Sequence, residues 1–253
     1  MIAVTRRPDA GLNRCQLTHV DRSPIDIELA IRQHAEYERR LCEAGYRLES
    51  LPADPRFPDG LFVEDTAVVL PELAILARPA PLARRGEVEL VAERLARYRP
   101  CSWLAPDGLL EGGDVLRVGR RLYVGCSQRT NLAGIDSLRR LVDAIGYSVV
   151  SVPVDGCLHL KTACTALDEQ TVLVNSSWIP VAALQGLRVV PVPVQEPWGA
   201  NVLRLPHGIL ASDSYPRTLD LLAGLGYAPL PIAASEFHKA EAGLTCLSLL
   251  LEP

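Results

Sequence analysis

Cys246 and His159 each open an apolar run, and a thiol and an imidazole so placed could carry covalent chemistry. A thiol, with a reference pKa of ~8.5, is a poor nucleophile until it ionises. An imidazole titrates near neutrality and can move protons in both directions. Together they suit a reaction in which a covalent bond forms and the leaving group departs protonated. Asp65, Glu111, Asp114 and Asn201 occupy comparable places, each near the start of an apolar run. Carboxylates raise the pKa of a neighbouring thiol unless the substrate is itself a cation. A guanidinium held between Asp65 and Glu111 fits, because its planar fork of donors matches carboxylates through charge-assisted hydrogen bonds. Papain-like signatures are absent, and peptide hydrolysis would not call for so many carboxylates.

The elements that must position these residues repeat. Asp65 to Leu70, Leu73 to Ala77, a helix from about Arg85 to Tyr98 and a strand form one strand–turn–strand–helix–strand unit. Asp114 to Val118, Leu122 to Gly125, a helix over Leu132 to Ile145 and Ser148 to Val154 form a second. His159 to Leu167, Thr171 to Asn175, a short helix over Pro180 to Leu184 and Arg188 to Val194 form a third. Asn201 to Leu205, Ile209 to Asp213, Thr218 to Gly224 and Ala228 to Ile232 form a fourth. The fifth is divided between the ends: Thr245 to Leu250 at one, and Ile2 to Arg6, a helix over Ile25 to Glu43 and Tyr46 to Leu51 at the other. Repeats of this spacing predict a closed array, with the termini completing one unit. In a ring, equivalent positions converge on the axis. Polar residues at strand starts are commonly turn residues; their shared phase is what sets these apart.

The 253 residues are 48% hydrophobic, which is enough for a sizeable core. A single catalytic domain over residues 1–253 is expected. The net charge is −4, with no basic tail, so nucleic-acid binding has little support. Met1 to Arg7 lacks the apolar region of a secretory signal, and no ~18-residue apolar stretch occurs, which predicts a cytoplasmic protein without a membrane partner. Seven cysteines without a Cys-x-x-Cys pair argue against a disulfide framework and a structural zinc site.

Five sequence blocks carry a resemblance. Asp59-Gly60-Leu61-Phe62-Val63-Glu64-Asp65, Glu111-Gly112-Gly113-Asp114, Ser127-Gln128-Arg129-Thr130-Asn131, Leu158-His159-Leu160-Lys161 and Gly243-Leu244-Thr245-Cys246 resemble, in order, the dimethylarginine dimethylaminohydrolase family of the guanidino-group-modifying superfamily. The resemblance implies an α/β propeller with pseudo-fivefold symmetry, which agrees with the repeats. It also implies hydrolysis of mono- or dimethylated arginine to citrulline and an alkylamine through a thiouronium on cysteine, without a cofactor. Zinc bound between thiol and imidazole would act only as an inhibitor. A homodimer is compatible with the resemblance.

Carried over residue by residue, the resemblance makes Cys246 the nucleophile and His159 the proton donor and later the base. Glu111 and Asp65 would hold the guanidinium, with Asp59 and Glu64 at substrate-binding positions. Arg84 and Arg129 would bind the substrate carboxylate. Leu17, in Leu17-Thr18-His19, matches a residue on a flexible lid. Ala240 matches a position that contacts the substrate's α-amino end, where the family often has a larger aliphatic residue. Within the superfamily the rivals are arginine deiminase, agmatine deiminase and an amidinotransferase. The chain shows no inserted helical domain, against the first, and an arginine clamp for a carboxylate disfavours agmatine. A non-catalytic methylarginine sensor would need no nucleophile.

Overall fold

The first strand of the chain is the middle strand of a sheet, flanked by the last strand and by the second. In this computed structural model, which describes residues 1–252, β1 (Ile2–Arg6) leads through α1 (Ile27–Glu43) to β2 (Arg47–Leu51). β1 runs parallel to β2, with Ile2 opposite Arg47, and antiparallel to the final strand, with Ile2 opposite Leu251. α1 starts where Asp26 accepts the Leu29 amide at 3.0 Å, a capping bond for an otherwise unpaired donor. It buries Ala30, Gln33, His34, Tyr37 and Leu41 along one face, the period of an amphipathic helix. It ends before Gly45, whose φ of 89° suits a residue without a Cβ.

The same plan recurs around the chain. β3 (Ala67–Val69), β4 (Ala74–Leu76), α2 (Arg85–Leu95) and β5 (Cys101–Trp103) make the next sheet. β6 (Val115–Val118), β7 (Arg121–Cys126), α3 (Leu132–Asp143) and β8 (Ser148–Pro153) follow. The one-turn α4 (Leu160–Ala163) introduces β9 (Cys164–Ala166), β10 (Thr171–Val174) and β11 (Arg188–Pro191). β12 (Leu203–Leu205), β13 (Gly208–Ser212), α5 (Pro216–Gly224) and β14 (Pro229–Ile232) form the fourth repeat, and α6 (Ser235–His238) leads to β15 (Leu249–Leu251). The described residues thus form five sheets of three strands, each with one antiparallel and one parallel pairing, in a pseudo-fivefold α/β arrangement. Residues of β3, β6, β9, β12 and β15 all line one cavity of about 820 Å³. No helix among the described residues is long and apolar enough to cross a membrane.

The structure corrects the expectation that the polar residues open strands. Asp65 lies on a 3-10 turn over Val63–Thr66, Asp114 on one over Gly112–Asp114 and Cys246 on one over Thr245–Leu247. His159 stands immediately before α4. Asn201 precedes β12 by two residues without such a turn. In a strand, successive side chains point to opposite faces; a tight turn frees several neighbouring groups to face one place. Close packing of these turns depends on glycine. A Cβ on Gly112 would lie 2.0 Å from the Glu64 carbonyl oxygen, and one on Gly113 would lie 2.6 Å from His159 Nδ1.

Candidate active site

Three buried groups meet where the turns converge. His159 Nε2 is 2.7 Å from Glu111 Oε2, and His159 Nδ1 is 3.8 Å from Asp65 Oδ1. Burial alone would lower the imidazole pKa, but the charge on Asp65 and the bond to Glu111 outweigh it and raise it to about 9. At neutral pH the ring is therefore an imidazolium. Burial works against charge on Asp65 as well, yet His159 and Arg84 hold it below the usual carboxylate range. Glu111 Oε1 is buried without a hydrogen-bond partner among the described residues. Such an atom has a large unmet demand for a donor.

Asp114 does not join that group. Its Oδ1 accepts the Leu160 amide at 2.9 Å and its Oδ2 the Ser127 hydroxyl at 2.6 Å, so it fixes the turn that presents His159. Cys246 is half-buried and packs against the core that contains Leu244 and Leu247. Burial, followed by the charges of Glu64 and Asp65, raises its thiol pKa well above the ordinary value. Lys161 opposes this shift without overcoming it, so the thiol stays protonated until a further cation arrives.

The sequence assigned Glu64 to substrate binding; the structure engages both its oxygens with protein donors. Lys161 Nζ donates to Oε1 at 2.6 Å and Thr245 Oγ1 to Oε2 at 2.7 Å. Asn201 continues the network, donating to Thr245 Oγ1 at 3.0 Å and accepting the Thr245 amide at 3.1 Å. Glu64 and Asn201 thus hold the residue before Cys246. On the other side, the Tyr37 and Ser248 hydroxyls lie 2.7 Å apart, tying α1 to the same segment.

The arginines also sit differently from a free carboxylate clamp. Arg84 is buried, with Nη1 2.9 Å from Asp65 and 3.7 Å from Glu111, and Nη2 2.9 Å from Glu87. Burial and these carboxylates compete, and the carboxylates raise its pKa well above the ordinary value. A substrate carboxylate would have to compete with Asp65 and Glu87 for this guanidinium. Arg129 Nη1 lies 3.5 Å from Glu111 Oε1. Glu87, which burial lifts to about 7 despite Arg84, was not singled out from the sequence; its i,i+3 spacing from Arg84 was the available signal.

At the rim, Asp59 accepts the Gln16 amide at 2.9 Å, and burial raises its pKa. Leu17 packs half-buried against the core to which Ala240 belongs. Lys239, in contrast, bonds Glu236 and the Pro24 carbonyl, away from the carboxylate group. Asp65, Glu111 and His159 present ligand atoms within 4.8 Å of one another, a spacing a metal could bridge. A protonated imidazole offers no lone pair, however, and metal binding would have to expel that proton. The donor set is better matched to an organic cation.

Comparison with known proteins points to one family. The arginine deiminase family pattern matches residues 91–184. The N(G),N(G)-dimethylarginine dimethylaminohydrolase of Streptomyces coelicolor is 42% identical, over 98% of this chain and 96% of its own. A cysteine-to-serine variant of the Pseudomonas aeruginosa enzyme, solved with citrulline, superimposes with a TM-score of 0.92 at 31% identity, covering 98% of this chain and 97% of that one. A histidine-to-glycine variant of dimethylarginine dimethylaminohydrolase, solved as an adduct with S-methyl-L-thiocitrulline, also gives a TM-score of 0.92 at 31% identity, covering 98% of each chain. At this identity, over nearly the whole of both chains, the chain belongs to the dimethylarginine dimethylaminohydrolase family.

Proposed function

We propose that the protein hydrolyses Nω-methylated arginine to citrulline and an alkylamine. The observation that carries this reading is the buried Asp65–His159–Glu111 group, with one Glu111 oxygen near Arg129 but without a hydrogen-bond donor, and Cys246 on the adjoining turn. An arriving guanidinium supplies donors for that oxygen and the positive charge that allows Cys246 to ionise, its proton leaving to solvent because His159 already holds one. The thiolate attacks the guanidinium carbon. The His159 imidazolium passes its proton to the alkylamine nitrogen as the C–N bond breaks, leaving a thiouronium on sulfur. Neutral His159 then takes a proton from water as its oxygen bonds the same carbon. The C–S bond breaks, the hydroxyl proton passes to the departing thiolate, and citrulline is released. Asp65 and Glu111 keep charge and orientation fixed, so positioning and electrostatic preorganisation do much of the work.

On this reading Asp59, Leu17 and Ala240 border the substrate's amino-acid end, and Arg129 and Arg84 face its carboxylate. For Arg84 this requires a shift from Asp65. Glu64 acts through the cysteine turn rather than by touching substrate. The chain works as one catalytic domain without a cofactor, and its five sheets close into a propeller through the β1–β15 pairing. The match of residues 91–184 to the arginine deiminase pattern supports a second reading, the same chemistry with ammonia as the leaving group. The test is release of citrulline and amine from arginine, mono- and dimethylarginine and agmatine. Turnover confined to methylarginines supports the first reading, and faster turnover of arginine replaces it with the second.

A further inference from the structure

We propose that Glu241 is a positioning residue that latches the Leu17 loop over the substrate's amino-acid end; this rests on the methylarginine reading above. Among the described residues Glu241 is the non-glycine with a positive φ, 58°. It stands just beyond α6, where the Ala242 amide reaches the Phe237 carbonyl and the Glu241 amide reaches that of His238, both at 3.0 Å. This pair of bonds ends a helix through one left-handed residue, and glycine is the usual occupant. Glutamate is conformationally unfavourable there, so the backbone alone does not account for it.

The side chain does. Its two carboxylate oxygens accept the amides of Thr18 at 2.6 Å and His19 at 3.0 Å. Both loop residues are exposed, whereas Glu241 is buried. From the other side, Asp59 accepts the Gln16 amide at 2.9 Å. Leu17 is therefore held between two carboxylate anchors, and its side chain packs on the core that contains Ala240, the neighbour of Glu241. Strained backbone residues cluster at ligand clamps and active sites. Here it couples the loop to the segment that runs on to Cys246.

The two roles of this position carry opposite signs, which makes the idea testable. Glu241→Gly removes the latch but relieves the left-handed strain. The variant should melt at or above the wild-type temperature. In the intact protein, the Thr18 and His19 amides should exchange with solvent at least about tenfold faster. If the loop is then closed about a tenth of the time, the apparent affinity for methylarginine falls about tenfold, seen as a rise in KM with little change in kcat. Glu241→Gln keeps one acceptor oxygen and should lie between. Wild-type exchange and KM in Glu241→Gly would overturn the proposal. So would a lowered melting temperature with faster exchange throughout the molecule, which would mark a purely structural residue. If the wild type does not turn over methylarginine, the substrate reading fails, and the amide exchange still decides the latch.

Discussion

His159 Nε2 lies 2.7 Å from Glu111 Oε2, and the other oxygen of that carboxylate, Oε1, has no hydrogen-bond partner among the described residues. Glu111 thus joins Asp65 in keeping the imidazole charged, and its Oε1, beside Arg129, still lacks a hydrogen-bond donor. Loss of this pairing should remove the general acid. His159→Gln is expected to slow turnover ~10²–10⁴-fold, the usual worth of positioned acid–base help. Steady-state rates together with mass spectrometry of the cysteine peptide check it, since slowed second-step hydrolysis should leave an adduct on Cys246. Wild-type rates would remove His159 from the mechanism.

The raised pKa of His159, about 9, also links stability to pH. The proton is held more tightly in the folded protein than at the unfolded reference of ~6.5. Its contribution to stability is therefore fully present below pH ~6.5 and is lost as pH rises through about 9. Denaturant unfolding between pH 6 and 10 should show that decline in the wild type and a shallower one in His159→Gln. Turnover should fall over the same alkaline limb as the imidazolium disappears.

Cys246→Ser should abolish turnover while substrate still binds, as calorimetry would show. Reactivity of the thiol should follow charge rather than exposure alone. Burial and nearby carboxylates keep Cys246 protonated, whereas Cys42 is exposed. A neutral alkylating reagent should therefore modify Cys42 readily, and a cationic amidinium reagent should favour Cys246. Peptide mapping decides; equal preference for both reagents at Cys246 would contradict substrate-assisted ionisation.

Arg84 and Arg129 should separate on stability. Arg84→Ala takes from the buried carboxylates Asp65 and Glu87 the cation they share, a loss of ~3–5 kcal/mol. Arg129 lies 3.5 Å from Glu111 and should matter more for binding than for folding. Arg129→Ala should weaken recognition of the substrate carboxylate by ~1.5–3 kcal/mol. A substrate analogue without that carboxylate should show no such penalty. If it suffers the same penalty, Arg129 serves the fold.

Removing Met1 to Arg7 would delete the middle strand of a sheet and leave both β15 and β2 unpaired at that edge. The β15 end carries the turn with Cys246. Circular dichroism and activity should fall together, and a folded, fully active truncation would refute the role of the terminal pairing.

The repeat was legible in the order of the amino acids. Alternating apolar runs, helix-period stretches and turn residues marked the strands and main helices, and the half-unit at each end foretold the β1–β15 pairing. Five motif blocks singled out Cys246, His159, Glu111 and Asp65, of which the structure brings the last three within 4.8 Å of one another. Three things were decided only in the tertiary structure. Short 3-10 turns replaced strand starts, because a single buried turn has no period to leave in a sequence. The partners of Glu64, namely Lys161 and Thr245, lie 97 and 181 residues away along the chain, and no local pattern relates them. The pairing of Arg84 with Asp65 and Glu87 depends on which charges are buried together. Hydrogen-bond partners and pKa shifts belong to that shared environment, which exists only once the sheets have packed.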